Sequence, residues 1–310
     1  MNQQRIVIAG GSGFIGRALA REFSARDFEV VILTRTPLDR AVGVRELVWD
    51  GKNPGAWMTA LDGAEAVINL TGKSINCPHT PENVRELTAS RVDSVNAIAG
   101  ALRPIKSPPR VWVQASATGF YGDTGDCVCD ENAPAGKNTL AEICRQWEAA
   151  FAAANVSKTR KVTLRIGFVL GRDGGALPVL GKITRWFLGG TVGRGRQYIS
   201  WIHLTDLVQM FVAGVKQNHL AGSFNAVAPE ALTNAEFMSE LRRVHHRPWS
   251  PPAPAFAVRL GARLRGSEAS LALVSQRCVP RRFLDMKFSY QFPQLRGALE
   301  NLCGRHSDKI

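Results

Sequence analysis

The chain has 310 residues, 45% of them hydrophobic and 21% charged, with a formal net charge of +13. That composition belongs to an ordinary globular protein able to bury a large core, and no apolar run approaches the roughly 20 residues a membrane-spanning helix needs. Six scattered cysteines, without Cys-x-x-Cys or Cys/His ligand spacing, indicate neither a metal site nor a disulfide framework and fit a reducing cytoplasm.

The charge is unevenly placed. Residues 1–150 carry 16 Lys and Arg against 17 Asp and Glu, net −1, whereas residues 151–310 carry 23 against 9, net +14. The basic residues are mostly Arg, spread through apolar segments, and no nucleic-acid-binding motif accompanies them. A basic surface near a small anionic ligand fits this pattern, with neither nucleic acid nor membrane expected as a partner.

The first element is a β-branched run, Ile6 to Ile8, that enters a glycine turn, Gly10-Gly11-Ser12-Gly13-Phe14-Ile15-Gly16. Phe14, Ile15, Ala18, Leu19 and Phe23 then recur at helical spacing. Arg5, the apolar stretch and Ala18-Leu19-Ala20 have the outline of a signal peptide, but the glycine fingerprint consumes that stretch. Strand, tight turn and helix together make a phosphate-binding turn. Gly10 suits the tight turn, Gly13 lets a pyrophosphate approach the backbone, and Gly16 lets the helix pack closely on the strand. The helix N-terminus, at Phe14 and Ile15, offers unpaired N–H groups to an anion.

Phe28 to Leu33 reads as a second buried strand, ending in Thr34-Arg35. An NAD-binding unit carries an acidic residue about 20 positions beyond the glycines. Here Thr34 and Arg35 stand in that place, and a guanidinium pairs with the 2′-phosphate of NADP where a carboxylate would repel it. Val44 to Val48 is a third strand and Ala66 to Leu70 a fourth, whose end places Leu70 and Thr71 beside the adenosine ribose. A helix over Pro81 to Leu102 carries Glu86 and Arg91. Val111 to Ala115 is a fifth strand that delivers Ser116-Ala117-Thr118-Gly119-Phe120-Tyr121-Gly122 into a turn.

These motifs, with Asn69-Leu70-Thr71-Gly72 and Ser90-Arg91-Val92, resemble the extended short-chain dehydrogenase/reductase superfamily, and more closely its atypical "epimerase family" branch. Leu164-Arg165-Ile166-Gly167-Phe168-Val169-Leu170-Gly171, the run Gly193 to His203, Asn234-Ala235-Glu236-Phe237 and the Pro-rich stretch from Pro248 extend the resemblance over nearly the whole chain. That branch includes bacterial nucleotide-sugar epimerases and plant homologues tied to chloroplast division. The resemblance implies a doubly wound parallel α/β sheet of Rossmann type over residues 1–170, with return elements near 204–228. It implies a smaller C-terminal α/β lobe over 171–310, with a family module at about 250–300. It also implies NADP as cofactor, with Glu86, Arg91 and Val169 among its contacts.

Ordinary members of the superfamily place a Tyr and a Lys four apart on the helix after the fifth strand, as a proton relay. With Glu148 taken as the superfamily's Glu in that helix, Leu140 stands at the Tyr place and Cys144 at the Lys place. Arg91 replaces the Asn that completes the usual tetrad. Tyr121, Ser116 and Thr118 remain as candidate catalytic groups, Tyr121 as a proton donor tuned by Arg91 or as a packing residue of the turn. Cys144 reads as a buried helix cysteine. Asp206 or Thr205 reads as the N-cap of an apolar helix, with His203 a satisfied structural histidine. Arg165, Arg172, Arg194 and Arg196 are candidates for holding an anionic substrate. Two functions stay open. One is an NADP-dependent oxidoreductase or epimerase acting on a small molecule such as a nucleotide-linked sugar. The other is a catalytically quiet NADP(H)-binding regulatory protein. Either is expected as a monomer or homodimer.

Overall fold

A computed structural model describes residues 3–37, 44–264, 266 and 268–304. The first half alternates strand and helix: β1 (Arg5–Ala9), α1 (Phe14–Ser24), β2 (Glu29–Thr34), β3 (Val44–Val48), β4 (Ala66–Asn69), α2 (Pro81–Leu102), β5 (Val111–Ala117), β6 (Val128–Cys129), α3 (Thr139–Ala153) and β7 (Arg160–Ile166). The second half follows with β8 (Phe168–Leu170), α4 (Leu177–Arg185), β9 (Tyr198–Ile199), β10 (Trp201–His203), α5 (Leu204–Lys216), β11 (Gly222–Ala226), β12 (Leu232–Thr233) and α6 (Asn234–Val244). The chain closes with α7 (Ala255–Leu264), α8 (Ser270–Leu273), β13 (Arg277–Cys278), α9 (Arg281–Asp285) and α10 (Leu295–Cys303).

Seven strands form one parallel sheet in the order β11-β7-β5-β4-β1-β2-β3. The central strands read as continuous apolar runs because helices cover both faces. Ile8 lies between Ile32 and Ile68 in register, and all three are buried. Helices α1 and α5 pack together, as do α2 and α3. Thr80 caps α2, its side chain accepting from the Asn83 N–H, with Pro81 in the first turn, and Asn138 caps α3 in the same way. This chemistry starts both helices where the chain leaves a loop. The chain rejoins the main sheet at β11, whose Asn225 stands opposite Arg165 of β7.

A second buried cluster, with Leu170, Leu177, Trp201, Phe237, Leu295 and Leu299, packs the C-terminal helices against β8 and β10. The two-stranded ladders β8–β10 and β9–β12 lie within the second half, and the ladder β6–β13 joins the halves. Strand β13, near the C-terminus, runs parallel to β6 with Cys278 opposite Cys129.

Two expectations change. Strand β5 runs on to Ala117, so Ser116 is a strand residue and the turn starts at Thr118. The α5 helix begins at Leu204, and its cap is His203, whose Nδ1 accepts from the Thr205 N–H at 3.0 Å. Asp206 instead accepts from the N–H groups of Gln291 and Phe292, fastening the segment before α10 to α5.

Candidate functional site

The order of the sheet reverses between β1 and β4, so the loops after these strands diverge and leave a crevice at their C-terminal ends. Gly10 sits there with φ 73°, and a Cβ on it would lie 3.1 Å from the Leu70 carbonyl carbon and the Thr71 nitrogen. Its N–H donates to the Leu33 carbonyl, so the ends of β1, β2 and β4 meet at this glycine. At Gly16 a Cβ would lie 2.5 Å from Gly11 Cα, so this glycine seats α1 on the turn itself rather than on the strand. Gly13 caps α1 without a side chain, and a Cβ there would meet only the Gly10 carbonyl, at 3.5 Å. The Phe14 ring occupies space that side chains at Gly171 and Gly174 would need, which pins the 171–175 strap to the start of α1. Ile15 packs against the core. Phe14 and Ile15 therefore have their backbone N–H groups to offer a ligand.

At the end of β2 the Thr34 hydroxyl donates to Ser12 Oγ at 3.1 Å, tying that strand end to the glycine turn, and Arg35 next to it is exposed. Across the crevice the Leu70 N–H donates to the Ala9 carbonyl and the Thr71 N–H to Asn69 Oδ1. The Thr71 hydroxyl is buried with no hydrogen-bond partner. Such an orphan is uncommon, because an unpaired buried polar group costs about 1–3 kcal/mol.

Arg91 is 9% exposed, and its Nη1 donates to the Leu87 carbonyl at 2.8 Å. Among the described residues no carboxylate pairs with it, and burial works against its charged form. The guanidinium lies against Gly72, whose Cβ would be 3.1 Å from Cζ, and over the Trp147 ring at 5.1 Å. Glu86 is exposed and forms an ion pair with Lys73, which also donates to Asn83 Oδ1, so it braces the loop after β4. Val169 stands in β8 opposite Ile202.

The three candidate catalytic hydroxyls are all engaged. Ser116 Oγ donates to Glu148 Oε1 at 2.6 Å, Thr118 Oγ1 to Gln276 Oε1 at 2.7 Å, and Tyr121 Oη to Asn225 Oδ1 at 2.7 Å. Tyr121 is 3% exposed and also receives Arg165 Nη1–H. Burial raises its pKa well above the ordinary phenol value, outweighing the nearby Arg165 charge. The group that tunes Tyr121 is thus Arg165, not Arg91, and the phenol is locked behind the crevice in the manner of a packing residue. Arg165 does not face a ligand either. It forms a two-pronged ion pair with Glu148 at 2.9 Å and stacks on Phe120 at 3.7 Å. Arg172 donates to the Asn301 carbonyl, and Arg194 and Arg196 are exposed, so the four arginines share no partner.

Leu140 and Cys144 lie side by side against the turn after β5, where a Cβ on Gly119 would be 3.7 Å from Leu140 Cβ and 3.6 Å from Cys144 Sγ. Burial pushes the Cys144 thiol up to about 12, which removes it as a nucleophile at neutral pH. No group of His, Cys, Asp and Glu able to hold a metal occurs among the described residues. Sequence reasoning missed Asn225 and Gln276, which reach Tyr121 and Thr118 from 104 and 158 positions away along the chain, and Glu131, whose Oε1 accepts the Asn225 N–H. Such long-range partners leave no local pattern.

Comparison with known proteins agrees with this geometry. The profile of the NAD dependent epimerase/dehydratase family matches residues 6–226, and a domain of unknown function, DUF1731, matches residues 253–302. An epimerase family protein of Arabidopsis thaliana, the chloroplastic SDR39U1 homolog, is 33% identical and aligns over 96% of this chain and 86% of its own. The crystal structure of human epimerase family protein SDR39U1 with NADPH superposes with a TM-score of 0.86 at 32% identity, covering 97% of this chain and 99% of that one. A nucleoside-diphosphate sugar epimerase from Corynebacterium glutamicum gives 0.78 at 30% identity, covering 97% of this chain and 59% of that one. With its crossed-over parallel sheet, its glycine turn and a matching C-terminal domain, this chain belongs to the NAD dependent epimerase/dehydratase family, in the extended short-chain dehydrogenase/reductase superfamily.

Proposed function

We propose that the crevice holds NADP(H) and that the chain is an epimerase-family oxidoreductase acting on a small molecule without the superfamily's tyrosine–lysine relay. The observation that carries the cofactor assignment is a pair of groups at the crevice wall, the orphaned Thr71 hydroxyl and the buried Arg91 guanidinium, which bonds the Leu87 carbonyl but has no carboxylate partner among the described residues. Both are costly as they stand and both are satisfied by a ligand rich in phosphate and ribose oxygens. Human SDR39U1, alike over nearly its whole length, was crystallised with NADPH, which supports the same reading.

When bound, the cofactor supplies or accepts a hydride at its nicotinamide. Gly10 and Gly13, without side chains, would let its pyrophosphate approach the turn, and Phe14, Ile15 and Gly16 would present N–H groups at the positive end of α1. Arg35, with Thr34, would receive the 2′-phosphate, in line with the lack of an acidic residue there. Leu70 and Thr71 would line the ribose side, and Glu86, Arg91 and Val169 the rest of the channel. The strap 171–175, held by Phe14, closes one wall. Ser116 and Thr118 are the protic side chains at the end of β5, Ser116 held by Glu148 and Thr118 by Gln276. A small anionic substrate such as a nucleotide sugar fits the name of the Corynebacterium relative.

One observation favours a second reading, cofactor sensing without turnover. Leu140 and Cys144 fill the relay positions, and Tyr121 is locked into a structural network. Loss of a general acid typically costs about 10²–10⁴ in rate. The deciding assay follows isotope exchange from labelled NADPH across a panel of sugar nucleotides and small carbonyl compounds. Turnover with any compound sustains the enzyme; tight NADPH binding with no turnover across the panel leaves the sensor.

A further inference from the structure

Segment 275–278 of the C-terminal module is wedged between the turn after β5 and strand β9. On one side Ser275 Oγ donates to the Gly125 carbonyl, Ser275 N–H to Asp123 Oδ1, and Thr124 N–H to the Ser275 carbonyl. On the other side the Gln276 N–H donates to the Tyr198 carbonyl, while Ser200 Oγ donates to the Gln276 carbonyl and receives the Cys278 N–H. Backbone groups and the Ser275 hydroxyl therefore dock this segment, and docking does not need the Gln276 side chain.

That side chain is nevertheless fixed. Its Oε1 accepts the Thr118 hydroxyl proton at 2.7 Å, which orients the carboxamide. Its Nε2 has no acceptor among the described residues, although the residue is only half-buried, and it is not one of the buried orphans. Thr118 opens the turn whose next residue, Gly119, faces Leu140 and Cys144, the two residues read as standing at the relay positions. The fixed carboxamide thus presents two N–H donors at the C-terminal edge of the sheet, next to the place where the tyrosine and lysine are missing.

We propose that Gln276 is a substrate-orienting residue, delivered to the site by the C-terminal module, and that its Nε2 hydrogen-bonds a carbonyl or hydroxyl oxygen of the small molecule that reacts at the cofactor. Supplying this donor is then what the domain of unknown function does for the catalytic half. A carboxamide is a neutral donor at every working pH and transfers no proton, so it positions and polarises an oxygen without restoring acid/base chemistry. The proposal rests on the reading that the crevice holds NADP(H) with a substrate over it.

Two measurements on the full-length protein test it. A crystal structure of the NADP⁺ complex should place Gln276 Nε2 within roughly 6 Å of the nicotinamide C4, the span of one reacting contact plus one hydrogen bond. A carboxamide directed away from the nicotinamide, or well beyond that span, overturns the proposal whatever the substrate is. With whichever sugar nucleotide or carbonyl compound turns over, Gln276→Leu should raise KM roughly three- to tenfold, the fold-change of one lost neutral hydrogen bond. Gln276→Glu keeps the acceptor for Thr118 and loses the donor, so it should match the leucine variant, whereas a merely structural role predicts rescue. NADPH affinity should stay within twofold in both variants. Unchanged KM in both overturns the proposal. If nothing in the panel turns over, the enzyme reading fails by that result, and the distance in the NADP⁺ complex still decides the placement of Gln276.

Discussion

The guanidinium of Arg91, on α2, stands 5.1 Å from the ring centroid of Trp147, on α3, and this stacking holds a cation with no carboxylate partner among the described residues. A cation over an indole is stabilised by about 0.5–2 kcal/mol, less than the several kcal/mol that removing an ion from water costs. On the proposed reading, the residue is tolerated for the cofactor it binds. Arg91→Met, similar in volume, should leave the melting temperature of the cofactor-free protein unchanged or raised while weakening NADPH binding at least tenfold by calorimetry. A variant that melts lower and binds NADPH normally would show Arg91 to be a packing residue.

The orphaned Thr71 hydroxyl gives a prediction of the same sign pattern. Thr71→Val removes a buried unpaired group at nearly constant shape, so the cofactor-free protein should be as stable as the parent or slightly more so. NADPH affinity should fall by about 0.5–1.5 kcal/mol, one neutral hydrogen bond. Both quantities come from thermal melts with and without cofactor.

The proposal assigns cofactor preference to Arg35, exposed at the end of β2. The parent should prefer NADPH over NADH by about 1.5–3 kcal/mol, the size of a hydrogen bond to a charged group, and Arg35→Ala should erase most of that difference. Parallel titrations of both cofactors measure it. Equal affinities in the parent would remove Arg35 from the site.

Glu148 and Arg165 form a pair with side chains 13% and 7% exposed. Glu148→Gln leaves the guanidinium buried beside Phe120 and Tyr121 without its counter-ion, and should destabilise the fold by about 3–5 kcal/mol in chemical denaturation. A loss below about 1 kcal/mol would mean that the pair is solvated like a surface bridge.

His203 predicts a pH dependence. Burial lowers its pKa from 6.5 to about 4, against the opposing hydrogen bond with Asn301. The unfolded chain therefore binds the proton more readily, and the stability contributed by the neutral ring is complete above pH 6.5 and lost as the pH falls towards 4. The slope there is at most about 1.4 kcal/mol per pH unit. His203→Asn keeps an N-capping side chain and should flatten that part of the stability profile. Asp206, raised by burial, contributes in the opposite sense in both proteins and cancels in the comparison.

Much of the fold was legible in the sequence. The first half alternates buried apolar runs, turn residues and amphipathic stretches, and these are local signals: the third strand and the helix Pro81–Leu102 fall on the expected residues. The glycine turn was legible too, because a tight turn and a close helix approach exclude side chains at particular spacings. The absence of an acidic residue after β2 is likewise a statement about single positions, as is the reading of Leu140 and Cys144 at the places of the Tyr and Lys.

Tertiary structure decided what those positions do. Tyr121 reads in the sequence as a proton donor or a packing residue of the turn, and the hydrogen bond it donates to Asn225, 104 residues on, favours packing. Arg165 looked like an anion ligand until Glu148 met it across the β7–α3 contact. His203 became a helix cap because its ring turns back to the Thr205 N–H. Hydrogen bonds act over about 3 Å, and the partners that satisfy a buried polar group come from wherever the chain returns. Periodicity and spacing report the face a residue shows to its own element, so they specify strands, helices and turns. Which donor meets which acceptor depends on the crossing of distant segments, and only the folded chain brings those together.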